Sequence, residues 1–79
     1  MSWSISGSGK KAEAASRVKE QAAAITYLTG AANELKDKAA AFAIAAAESI
    51  PDDQSVSISL YGSGTPNSQE VTVSVRAQS

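Results

Sequence analysis

The chain has no cysteine and no histidine among its 79 residues. The first absence excludes disulfides, and the two together exclude a metal site built on the usual sulfur and imidazole ligands. Without histidine the commonest general base is missing, and no imidazole is available to activate a serine nucleophile. Charge of one sign is also lacking. A formal net charge of -1 leaves no basic excess of the kind that neutralises phosphates, so general nucleic-acid binding is not expected. No apolar run approaches the roughly 20 residues of a membrane helix. The opening residues, Met1 to Lys11, alternate serine with Trp3 and Ile5 where a secretory signal has an apolar stretch, so no such signal is expected.

What the chain does have is alanine. It supplies 16 of the 34 apolar residues behind the 43% hydrophobic content, which leaves 18 side chains large enough to fill an interior. A single domain over residues 1–79 follows from the length. Its core is thin, and below about 80 residues such a core supplies only about 3 to 5 kcal/mol unless metal, disulfide or association adds to it. With disulfides and any Cys or His metal site excluded, association is the main remaining route.

Three stretches alternate apolar and polar residues with the period of a strand that has one buried face: Ser2 to Ser6, Ser55 to Tyr61 and Glu70 to Arg76. Between the first two, Lys10 to Ile50 is rich in strong helix formers and free of proline until Pro51. Asp52 and Asp53 then supply turn chemistry. The polar stretch Gly62 to Gln69 reads as a long mobile connection between the last two strands. The fold class is therefore α+β: strand, long alanine-rich helix, then β-hairpin, with a mainly antiparallel three-stranded sheet covered on one face by helix. Trp3, Ile5, Val56, Ile58, Leu60, Val71, Val73 and Val75 are the expected sheet side of the core. Val18, Ile25, Leu28, Leu35, Phe42 and Ile50 are their expected partners. Ser4, Ser57, Ser59, Thr72 and Ser74 form the wet face.

The helical segment poses a choice. About 40 residues at 1.5 Å each overshoot a strand of about 20 Å, and Thr29-Gly30 could break the segment into two antiparallel helices. Against a break, Val18, Ile25, Ala32 and Ala39, and likewise Leu28, Leu35 and Phe42, keep one heptad register across Gly30, with no good N-cap after the glycine. The register favours a continuous or kinked helix.

Two segments are candidate sites. Residues 39 to 47 carry no polar side chain, so Ala39, Phe42, Ala43, Ile44, Ala46 and Ala47 are read as an interface. Phe42 and Ile44 point roughly 200° apart around a helix, and one small sheet cannot cover both. The other segment is Gly7-Ser8-Gly9-Lys10-Lys11, a glycine loop opening a helix, where backbone N–H groups and the dipole favour an anion and two lysines add charge. Gly62-Ser63-Gly64 echoes it, and an unbroken helix places both segments at one end of the sheet. A phosphate-binding loop is matched only in part, because the upstream glycine is missing and Lys11 stands where a magnesium-binding hydroxyl belongs. Glu48, Asp52 and Asp53 lack the spacing of a calcium loop and read as a solvated turn.

The start Met1-Ser2-Trp3-Ser4-Ile5-Ser6-Gly7-Ser8-Gly9, the alanine-rich helix, Ile50-Pro51-Asp52-Asp53 and the alternating Ser55 to Ser59 together resemble small accessory proteins of tailed bacteriophages and prophages. That resemblance implies a non-enzymatic viral protein, either a virion decoration or assembly accessory or an early protein that binds a host factor or a signalling nucleotide. It implies location in the host cytoplasm or the virion, and partners that are a second copy or a larger assembly such as a capsid. The order strand, helix, hairpin is also similar to dodecin, a flavin-binding oligomer. Dodecin's flavin-stacking aromatic lies in its second strand, where this chain has only Tyr61 at the strand end, so no flavin and no other cofactor is expected. An anionic nucleotide held at Gly7 to Lys11 is the alternative function.

Overall fold

The computed structural model describes residues 2–65 and 67–78; Met1, Pro66 and Ser79 lie outside them. Strand β1 (Ser2–Gly9) leads into helix α1 (Lys11–Ala24), then helix α2 (Gly30–Ala47), strand β2 (Ser55–Thr65) and strand β3 (Ser68–Gln78). The sheet order is β1-β2-β3, and both pairings are antiparallel. The α+β class holds, with both helices packed against an open antiparallel sheet.

The helical segment is broken, and its register misled for a physical reason. Residues 25 to 29, Ile-Thr-Tyr-Leu-Thr, are β-branched, aromatic or otherwise less suited to helix than their alanine-rich flanks. Ile25 is extended at φ -82° and ψ 97°, Thr29 is extended as well, and Gly30 takes the left-handed φ of 59° that glycine adopts without strain. Both helices lay an apolar stripe on the same sheet, so a shared register does not require one helix. The helical hairpin reverses the chain once more than a single helix does. As a result β2 runs against β1, and Gly9 pairs with Val56 while Gly62 pairs with Trp3. The two Gly-Ser-Gly segments therefore sit at opposite ends of the sheet.

The last connection is also shorter than the composition suggests. Antiparallel pairing continues through Gly62-Ser63-Gly64 to Thr65 opposite Ser68, which leaves Pro66 and Asn67 between the strands; the placement of Pro66 is outside the described residues.

The core lies between sheet and helices. Trp3, Ile5, Val56, Ile58 and Leu60 are buried, and Val71, Val73 and Val75 pack against them half-buried. From the helices come Ala14, Val18, Ala22, Ala32, Ala39, Ala40, Ala43 and Ala47, and from the connection between them Leu28. The helix side is almost all alanine, so the helices lie close on the sheet. Gly7 extends this, since a Cβ there would stand 2.8 Å from the Ala14 carbonyl oxygen. Gly62 makes room for the Trp3 ring, whose Nε1 donates to Gln69 Oε1 at 3.1 Å. Ser4, Ser59, Thr72 and Ser74 are exposed and Ser57 half-exposed, as expected of a wet face.

Candidate functional site

The inward stripe of α2 consists of Ala32, Lys36, Ala39, Ala40, Ala43 and Ala47. With alanine filling the narrow space over the sheet, the larger side chains are displaced to the flanks of the helix. This corrects two expectations. Ala39, Ala43 and Ala47 are interior rather than available to a partner. Phe42, expected in the core, is 66% exposed. Its position explains why: at 100° per residue it lies about a quarter-turn from the buried line through Ala32, Ala39 and Ala43.

Phe42 and Ile44 do part to opposite flanks. Ile44 is half-buried in the groove between the helices, beside Lys19, Ala22 and Ala40. Leu35, Phe42 and half-buried Ala46, at spacings of seven and four, share the other flank. Leu35 faces Asn67, Ser68 and Gln69 across a groove, so this flank overhangs β3. Leu35, Phe42 and Ala46 thus lie on the side of α2 toward β3, the strand whose Val71, Val73 and Val75 are half-buried.

The glycine loop is organised differently from an open anion cradle. Gly7 is buried under α1, while Ser8 and Lys10 are exposed. Glu13, in the first turn of α1, places Oε2 over Gly9, within 2.7 Å of where a Cβ would stand. A carboxylate of the chain itself thus lies at the helix N-terminus, the place the dipole offers to an anion. Lys11 turns away to the far end of α2. Its Nζ lies 2.8 Å from Asp52 Oδ1 and donates to the Glu48 carbonyl at 3.1 Å. A lysine that opposes the dipole of its own helix so complements the C-terminus of the next. The hydrogen bond and charge of Lys11 hold the Asp52 carboxyl below its ordinary value. Of the three acids read as a solvated turn, Asp52 is therefore ion-paired, and all three are exposed. Among the described residues no cluster of three or more acidic side chains could hold a metal ion, and no helix is long and apolar enough to cross a membrane.

One polar residue escaped the sequence reading. Lys36 is 4% exposed, and its Nζ donates to the Ala22 carbonyl at 2.8 Å and the Ile25 carbonyl at 3.2 Å. The Ala22 carbonyl otherwise receives only an Ile25 N–H that it shares with Gln21, at 3.3 Å, so Lys36 completes the end of α1 and caps one helix from the other. Its place on the inward stripe, four residues from Ala32 and Ala40, was the available signal.

The two outer edges of the sheet differ. On β1, Gln21 bonds both the N–H and the C=O of Ser6, and the Tyr27 hydroxyl donates to the Ser2 carbonyl at 3.0 Å. On β3 no side chain of a described residue is seen bonding the outward backbone. Comparison of the chain with protein-family models, with curated proteins and with solved structures finds no match.

Proposed function

We propose that this chain is a non-enzymatic interaction protein that works in association, as a homo-oligomer or on a larger assembly, and that the flank of α2 over β3 is its contact surface. The observation that carries this reading is Phe42, a large apolar ring left 66% exposed on a helix whose inward face is already filled. Tyr27 and Tyr61 are about half exposed too, but each ends in a hydroxyl that water can satisfy. A thin alanine core gives the same direction, because association adds burial that the subunit alone lacks. The phage accessory role, as decoration or assembly protein, rests on the sequence resemblance. The nucleotide reading has less support, since Lys11 is engaged by Asp52 and Glu13 lies at the helix start.

Phe42→Ser tests the reading. Fully burying such a ring is worth about 1.5 to 3 kcal/mol, and most of that is still unrealised in the isolated subunit. The variant folds, and its association constant falls by about tenfold or more, at about 1.4 kcal/mol per decade. Sedimentation at micromolar concentration reads the change. Unchanged association of Phe42→Ser removes this flank as the contact.

A further inference from the structure

The direction of each backbone group in the sheet follows from one observation. Gln21 takes both the N–H and the C=O of Ser6 from outside the sheet, so in β1 the even residues point outward and Ile5 bonds across to Leu60, its register partner. In antiparallel strands this direction alternates with every residue. Leu60 therefore faces β1, and Tyr61 and Ser59 face β3 and bond Thr72 and Ser74, their register partners. The remaining β3 groups, on Gln69, Val71, Val73, Val75 and Ala77, point away from the sheet. Natural sheets guard such an edge with proline, a bulge, an inward charge or brevity. Strand β3 runs for 11 residues in unbroken register, and Gln69 to Ala77 contain no proline. Its two charges, Glu70 and Arg76, stand on the outer face.

From this geometry we infer that β3 pairs with β3 of a second copy of this chain, antiparallel about a two-fold axis at Val73, to make a continuous six-stranded sheet. This rests on the reading of the flank above as a contact surface and names its occupant. The register is set by charge. Outward groups meet outward groups only if odd residues face odd ones, and among those registers the one centred on Val73 sets Glu70 opposite Arg76 of the other copy, twice by symmetry. Thr72 then faces Ser74, and Val71 faces Val75. The axis also brings the helices together. Leu35 lies level with Gln69. Phe42 lies seven residues on, about 10.5 Å along α2, or about three residues along the strand. That puts it beside Val71 to Val73, where the two-fold sets it against its own copy and covers both rings. Both helix layers stay on one side of the sheet, and both serine faces remain wet.

Charge reversal and cross-linking test this together. Glu70→Arg and Arg76→Glu, each alone, turn two opposite-charge pairs into like-charge pairs. Each is expected to weaken self-association by about tenfold, from cross-strand pair magnitudes taken twice, and the double exchange restores it. Both sites are exposed, so circular dichroism of each variant stays that of the unmodified chain. The chain has no cysteine, so a mixture of Thr72→Cys and Ser74→Cys proteins reads the register directly. These positions face each other as a non-hydrogen-bonded pair with Cα atoms about 4.5 Å apart, inside disulfide range. Mild oxidation is expected to give the mixed disulfide over either homodimer. An unmodified chain that stays monomeric overturns the pairing but leaves a different partner for the flank. An oligomer indifferent to both reversals, or one that cross-links without preference, overturns the pairing while self-association stands.

Discussion

Replacing Lys36 by Met isolates the contact that holds the helical hairpin. Methionine keeps an unbranched stem of similar length, so packing against the alanine stripe changes little. What is lost is the ammonium that donates to the Ala22 and Ile25 carbonyls at 2.8 and 3.2 Å. A buried acceptor left unsatisfied costs about 1 to 3 kcal/mol. Ala22 is buried and keeps only the shared 3.3 Å bond from the Ile25 N–H, so it carries most of that penalty, whereas Ile25 is half-exposed and its carbonyl regains water. Loss of a cation at the end of α1 adds about 0.3 to 1 kcal/mol. Release of the ammonium from a site 4% exposed works the other way. The salt bridge to Asp37 is long at 3.5 Å, and its carboxylate is 63% exposed, so it adds little. The balance is a loss of about 2 kcal/mol, a large share of the 3 to 5 kcal/mol a core of this size supplies. Urea unfolding followed by circular dichroism, at one fixed protein concentration so that association does not shift the baseline, should show the midpoint falling by about 1 to 2 M. The melting temperature should fall by about 8 to 16 °C. A Met variant within about 0.5 kcal/mol of the unmodified chain refutes the capping argument.

Gly62→Ala should displace the Trp3 ring, because the added Cβ would overlap Trp3 Cε2. It should cost about 1 to 3 kcal/mol as overpacking. Trp3 is the one tryptophan, so a red-shifted emission reports the displacement, and an unshifted spectrum speaks against it. The Asp52 carboxyl should titrate below 3.8, held down by the hydrogen bond and charge of Lys11. A depressed folded-state value means that the pair contributes above the ordinary carboxyl value and is lost as pH falls through the lowered one. Carboxyl NMR titration should therefore show the midpoint rising in Lys11→Met, and a midpoint that does not move removes Lys11 as the cause.

The sheet was legible because alternation writes one bit per residue: Trp3, Ile5, Val56, Ile58 and Leu60 all fall on the face that their spacing indicated. The helices were less legible, since a heptad register records which side faces the sheet and not whether the backbone is continuous. Ile25 to Thr29 held the better signal, since Ile25, Thr26, Tyr27 and Thr29 are weaker helix formers ahead of a glycine. Phe42 was misplaced because size was read as depth. In a core where alanine sets the distance between helix and sheet, the largest apolar side chain on the helices is the one that does not fit. The serine and threonine face followed directly from the pattern, but the lysines did not. Lys11 and Lys36 each cap a helix other than their own, and such partners lie 37 and 14 residues away along the chain.

Hydrogen exchange resolved to single amides in β3 tests the central claim, that a second copy of the chain pairs along β3 and covers the flank of α2, most directly. Thr72 and Ser74 bond to β2 whether or not a partner is present, and they serve as internal references. Val71, Val73 and Val75 point outward, and in a lone subunit their amides meet only water. Protection of those three amides that rises with protein concentration, while the Thr72 and Ser74 amides stay protected throughout, is the predicted result. Fast exchange at Val71, Val73 and Val75 at every concentration, in a chain that remains a single 8.0 kDa species, contradicts it.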